Sequence, residues 1–238
     1  MIMYAISLTS IPPRFECLGP VLTGLLAQRP APARVILCLP RRYTRFPGAV
    51  TPPPLPDGVD LLWHDTDLGP ATKALPAARH LAGQMPRLIY CDDDWIMGPG
   101  WAAALLGAAQ PHEATTGQGY SVTRLHRQPT APTPQHTEIA QGFAGVCVDP
   151  AWLSARDMDP PLAAWPVDDI WLSGCLAHQG IPVRPVPAAR QAMRLAHDDM
   201  HGLQNCVFDG RDRHDANTAC LSLLTERYGL WPRLGGGG

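Results

Sequence analysis

Short apolar runs that alternate with helix-patterned stretches constrain this chain more than any other feature. Residues 3–8, 35–39, 59–63 and 88–91 are such runs, each of strand length. Between the first two, Leu18, Val21, Leu22, Leu25 and Leu26 follow the i, i+3, i+4, i+7, i+8 spacing of an amphipathic helix. Pro20 fits that helix only in its first turn, where its missing N–H has no partner to lose. Residues 71–82 predict a second helix with Leu75, Ala78 and Leu81 on one face, and the proline-rich stretch 47–58 reads as a loop. Strands and helices that alternate across short links pack as parallel βαβ units. The expectation is an α/β fold, an open, mostly parallel sheet with flanking helices.

Ligands of such sheets bind at the carboxyl ends of the strands. Three polar segments fall there, at residues 7–14, 65–73 and 92–94. The second half is less regular. It predicts a helix over 101–109, a strand over 120–125, a proline-bearing loop over 128–135 and a strand over 143–148. A helix over 168–179, a strand or edge segment over 181–186 and a last helix over 217–228 follow. Residues 1–234 are expected to form one domain, and the glycines at 235–238 a flexible tail.

Composition narrows the partners. A formal charge of -2 over 238 residues provides no basic field for nucleic acid. An anionic ligand would have to be held by local charges or by a metal. The seven cysteines contain no C-x-x-C pair, which excludes a zinc ribbon or a thioredoxin motif. Cys38 and Cys147 sit inside apolar runs, as buried reduced thiols of a cytoplasmic protein would. Residues 1–8 lack the basic start of a signal peptide. No run approaches the roughly 20 apolar residues of a membrane helix, so no integral membrane segment is expected.

Asp92, Asp93 and Asp94 follow LeuIleTyrCys directly. Strand side chains alternate, so Asp92 and Asp94 are expected on one side and Asp93 on the other. Two carboxylates beside phosphate oxygens make a hard site for Mn2+ or Mg2+. A departing nucleotide diphosphate needs such a cation, because negative charge builds on it. A solvated acidic turn would have the same composition.

Asp168 and Asp169 open a helix, where acidic residues also suit the dipole. Their functional reading is a general base for an acceptor hydroxyl. Asp65, Asp67 and Lys73 bracket LeuGlyProAlaThr, and Lys73 or Arg14 could meet phosphate near a helix start. A surface loop would look alike. His197 and His201, four apart, could share a helical face and bind a metal, or lie at the surface. His214 ranks below them. Trp95, Trp101, Trp165 and Trp171 lie near the acidic motifs, and one of these rings is expected against donor or acceptor.

IleSerLeuThrSerIleProProArgPhe, AspLeuGlyProAlaThrLys and AspAspAsp, in this order, are similar to a group of bacterial glycosyltransferase-like proteins with a GT-A nucleotide-sugar fold. The later GlnGlyPheAlaGlyValCysVal and AspAspIleTrpLeuSerGlyCysLeuAlaHisGlnGlyIle resemble the inverting β-1,3-galactosyltransferase type. The resemblance spans residues 6–186. It implies a Rossmann-like nucleotide-binding half and a nucleotide-diphosphate donor, with UDP as the nucleotide. It implies Asp92 on ribose or metal, Asp94 on metal, Asp93 beside the donor, and Asp169 as base. It also implies Thr9 and Arg14 on the nucleotide and His201 or His197 completing the metal site; Asp67 and Lys73 join the donor side on the reading of their own loop and helix start. The implied acceptor is a glycan or other hydroxyl compound of polysaccharide biosynthesis. Two readings compete with this. One is a metal-dependent phosphoesterase using Asp92 to Asp94 with His197, His201 and His214. The other is a GT-A-like binding module without turnover.

Overall fold

The computed structural model describes residues 3–131, 133–197, 202–203 and 207–235. Its first half reproduces the alternation that the apolar runs predict: β1 (Ala5–Thr9), α1 (Leu18–Leu26), β2 (Arg34–Pro40), β3 (Val59–His64), α2 (Leu75–Leu81) and β4 (Leu88–Cys91). The helix expected over 71–82 is two pieces. A 3-10 turn covers Gly69–Lys73 and α2 follows it. Pro76 explains the break, since it has no N–H for the carbonyl of Thr72 and a continuous helix cannot pass.

The second half contains β5 (Trp95–Met97), α3 (Trp101–Ala108), β6 (Ala114–Thr116), β7 (Gly119–Tyr120), β8 (Ile139–Ala140) and β9 (Val146–Val148). Then come α4 (Asp168–His178), β10 (Val183–Pro185), α5 (Pro187–Gln191), β11 (Met193–Leu195) and α6 (Arg213–Tyr228). The strand expected over 120–125 is only β7. Ser121 caps a 3-10 turn over Val122–Leu125, its side chain accepting from the Thr123 N–H, and this local bond competes with strand pairing. The strand expected over 143–148 shortens to β9, because Gly142–Ala144 forms another 3-10 turn. His197 lies at a bend after β11 rather than on a helix. His201 and residues 236–238 of the glycine tail lie outside the described residues.

Seven strands form one sheet in the order β10-β6-β9-β4-β1-β2-β3. β9 runs antiparallel to both neighbours, and the other pairings are parallel. Strand order reverses between β1 and β4. β1 leads outward to β2 and β3, and β4 lies on its other side. Such a switch point opens a crevice beyond the carboxyl ends of the two strands.

Side-chain alternation divides the core into two layers. Ala5, Ile36, Cys38, Leu88 and Tyr90 pack with α2, α4 and α6 residues such as Leu75, Trp171 and Leu224. Ile6, Leu8, Val35, Leu37, Ile89 and Cys91 pack on the other face with Leu22, Trp101 and Leu105. Both faces are covered, so the central strands are almost continuously apolar, with Ser7 in the middle of β1 as an exception. Each fully buried Leu or Ile contributes about 1.5–3 kcal/mol. Several of the buried polar exceptions are hydrogen-bonded, as when Thr115 Oγ1 donates to the Leu105 carbonyl at 2.9 Å, while the Thr72 and Thr137 hydroxyls have no hydrogen-bond partner among the described residues. Six cysteines lie among the described residues, all unbridged and five of them buried. No described helix is long and apolar enough to cross a membrane.

Candidate functional site

The period-two rule of β4 continues past its end and divides the first two acidic residues. Asp92 turns to the α4 face, where Lys73 Nζ pairs with its Oδ1. Asp93 turns to the α1 face. There it accepts from Ser10 Oγ at 2.5 Å and from Arg14 NH1 at 2.7 Å. Ser10 follows β1 directly, and Arg14 sits in a 3-10 turn over Pro12–Cys17. The chain then bends, so Asp94 does not simply rejoin the side of Asp92. Its Oδ2 lies 4.0 Å from Arg14 NH1, while its buried Oδ1 has no hydrogen-bond partner among the described residues.

Facing these groups is the first turn of α4. Asp168 Oδ2 lies 2.7 Å from Lys73 Nζ. Asp169 Oδ1 accepts from the Gly142 N–H at 2.9 Å, and among the described residues nothing hydrogen-bonds its Oδ2. The two acids of the pair therefore differ. Asp168 is buried and paired with a cation, whereas Asp169 keeps one oxygen for the cavity.

Burial is the main influence on the ionisation of this group. It pushes Asp169 up to about 7, with help from Asp168 and Asp92 and against Lys73 and the Gly142 N–H. Burial, then Asp92 and Asp93, push Asp94 up to about 7 against the pull of Arg14. Asp93 is raised by burial too, opposed by Arg14 and Ser10. Lys73 is held well above the usual lysine value, because Asp168, Asp92 and Asp169 outweigh its burial.

These groups line one cavity of about 370 Å³ at the β1/β4 switch point. Thr9, Arg14, Asp67, Lys73, Asp92, Asp93, Asp94 and Asp169 all reach its wall, so these sequence-predicted residues are brought together, whereas His197 does not line it. Several have other duties than expected. Lys73 is 2% exposed and its ammonium is engaged by two carboxylates, so it offers no open head to phosphate. Arg14 is bound to Asp93. Asp67 caps its own loop, accepting from the Thr44 and Gly69 N–H groups at 2.7 and 2.9 Å. Thr9 Oγ1 donates to the Cys38 carbonyl at 2.8 Å. Trp95 and Trp165 line the cavity, whereas Trp101 and Trp171 are core residues whose indole N–H groups bond the Ala144 and Met158 carbonyls. His214 is exposed on α6 and does not line the cavity.

Sequence reasoning missed Ser10, Tyr43, Phe143 and Arg213. Ser10 lies inside the ThrSerIleProProArg segment, where its place after a strand was a usable signal. Tyr43, whose hydroxyl donates to the Ser10 carbonyl at 2.6 Å, carries no local pattern that would select it.

Six carboxylates and four cationic side chains line the cavity among the described residues. That imbalance and the unpartnered Asp94 Oδ1 suit a divalent cation on Asp94 and Asp92. His201 falls outside the described residues, and among those described no group of three or more His, Cys, Asp or Glu is arranged to hold a metal alone. Remaining ligands would have to come from elsewhere, as phosphate oxygens do for Mg2+.

The cavity wall also depends on Gly69. Its φ is +60°, and a Cβ there would lie 2.7 Å from the Trp165 ring and 2.9 Å from the Trp165 carbonyl oxygen. Trp165 Nε1 donates to the Asp67 carbonyl at 3.0 Å, so the ring cannot withdraw cheaply. Gly69→Ala is expected to cost on the order of 3 kcal/mol, from strained backbone and overpacking together. Denaturant unfolding would reveal the loss, and an unchanged midpoint would contradict this packing.

No protein-family model matches the chain, and no curated protein matches it.

Proposed function

We propose that the chain is a metal-dependent glycosyltransferase that moves a sugar from a nucleotide-diphosphate donor, UDP-linked on the resemblance alone, to an acceptor hydroxyl with inversion. The observation that carries this reading is that one cavity is lined both by Asp94, with its unpartnered oxygen, and by Asp169, with an open one. A cation-hungry centre and a separate base in one crevice are what displacement at a sugar carbon requires.

In this reading the nucleoside lies toward Thr9, Tyr43 and Phe46, beyond β1 and β2, and the diphosphate lies over Asp92 and Asp94. A divalent ion on those carboxylates would offset the charge that builds on the departing diphosphate. Arg14 and Ser10 hold Asp93 and so stiffen the backbone that carries Asp92 and Asp94. Asp169 takes the acceptor proton as the hydroxyl oxygen attacks. Its partner Gly142 N–H fixes the carboxylate plane, and Asp168 stays committed to Lys73. A base poised near neutrality combines basicity with availability. Trp95, Phe143 and Trp165 offer apolar faces to a sugar ring. The phosphoesterase reading needs histidines in the cavity, and His214 lies off it.

Thermal unfolding against nucleotides and nucleotide sugars, with and without Mn2+, tests the proposal. A ligand at about 100 times its Kd adds about 2.7 kcal/mol. For a chain of this length that is a midpoint rise of roughly 5–10 °C. The expected result is such a rise with one nucleoside diphosphate, dependent on Mn2+. No rise with any of them would sink the transferase reading.

A further inference from the structure

Lys73 Nζ joins two elements far apart in sequence, the end of β4 through Asp92 and the first turn of α4 through Asp168, the latter at 2.7 Å. Removing an ammonium from water is unfavourable unless opposite charges replace the solvent, and here two carboxylates do so around a residue 2% exposed. The backbone is fixed as well. Ser7 Oγ, from the middle of β1, donates to the Lys73 carbonyl at 2.5 Å. Gly142 leaves the room that the ammonium fills. A Cβ there would lie 2.5 Å from Nζ and 3.2 Å from Asp169 Oδ1. The same glycine's N–H holds Asp169 at 2.9 Å. One ammonium thus abuts the carboxylate of the proposed cation site, the partner of the proposed base, and the glycine that orients that base.

We infer that Lys73 is a positioning residue that pins Asp92 to Asp168, rather than a contact for donor phosphate. The inference deepens the transferase reading and rests on it for the identity of the cation site. It has two consequences. The ammonium occupies Asp92 Oδ1, so a cation in the cavity competes with Lys73 for Asp92. Anchoring Asp168 also fixes the first turn of α4 and thereby aims Asp169 at the cavity. A lysine that met phosphate directly would keep an open head, and this one is enclosed.

The test compares Lys73→Met, close in length but uncharged, with the double variant Lys73→Met/Asp168→Asn. The single variant strands Asp168 without its cation, and its thermal midpoint should fall by roughly 10 °C. The second substitution removes the stranded charge and should recover at least half of that fall. Mn2+ alone, followed by the paramagnetic resonance of the free ion, should bind the double variant several-fold more tightly than the wild type, because the competing ammonium has left Asp92. A merely structural lysine would not shift Mn2+ affinity upward. The inference is overturned if Lys73→Met leaves the midpoint unchanged while weakening UDP tenfold or more, or if Asp168→Asn recovers nothing. A wild type that binds no Mn2+ even with UDP present overturns the cation site and the transferase reading with it. Recovery by Asp168→Asn is then read separately, as proof of the pin alone.

Discussion

Asp169→Asn should lower the transfer rate about a thousandfold while leaving nucleotide-diphosphate affinity within about twofold of wild type. Asparagine keeps the shape of the side chain and can still accept from the Gly142 N–H, so the first turn of α4 should stand. What it loses is the ability to take a proton. In the wild type, burial and the neighbouring Asp168 and Asp92 hold Asp169 up to about 7. A base must be deprotonated to act, so kcat/KM should rise with pH through that region and level off above it. The asparagine variant should have no such limb. Rates measured from pH 5 to 9, with donor binding followed by calorimetry, would decide the matter. Full turnover in the variant would remove Asp169 from the mechanism.

Asp94→Asn should do two opposite things, stabilising the ligand-free protein at pH 8 and abolishing its response to Mn2+. Asp94 is pushed up to about 7 by burial first and by Asp92 and Asp93 next. Its folded value therefore lies above its unfolded one. Such a group contributes stability that is fully present below the unfolded value and is lost as pH rises through the folded value. The unliganded wild type should accordingly weaken between about pH 4 and pH 8, by an amount on the order of 2 kcal/mol. Asparagine carries no proton to lose, so the variant should escape that weakening and gain roughly 4–8 °C in midpoint at pH 8. At pH 4 the two proteins should unfold together. Adding Mn2+ with UDP should then raise the wild type and leave the variant where it was. A variant less stable than wild type at pH 8 would show that the Asp94 charge is already satisfied within the protein.

Those opposite effects follow from the same arrangement. A carboxylate with a buried, unpartnered oxygen is unfavourable in the free protein and is useful only when a cation arrives. If Asp94 holds the proposed cation, fold and site pull against each other at this one residue, where local stability would yield to binding.

Much of the frame could be read along the chain. Apolar runs of strand length located β1, β2, β3 and β4, and the 3.6-residue spacing of Leu18, Val21, Leu22 and Leu25 located α1. Those patterns are local, since they need only the regular geometry of a strand or helix. Elements with weak periodicity were missed or mis-sized. β5 and β6 are three residues each, too short to display a period. The strand expected over 120–125 yielded to a side-chain cap at Ser121. The break before α2 depended on one absent N–H at Pro76.

The sequence by itself determined that an acidic cluster would end a buried strand of a largely parallel sheet, and that Asp92 and Asp93 would diverge. Alternation along β4 dictates both. Only the tertiary structure decided which cation satisfies which acid. Lys73 meets Asp168 across the fold, and Arg14 meets Asp93 across 79 residues of chain. Ion pairing depends on distance in space and on burial, neither of which is written in neighbouring residues. That is why Lys73 reads along the chain as a phosphate contact and stands in the folded protein as an enclosed pin, while Asp169, identical in type to Asp168, keeps the open oxygen.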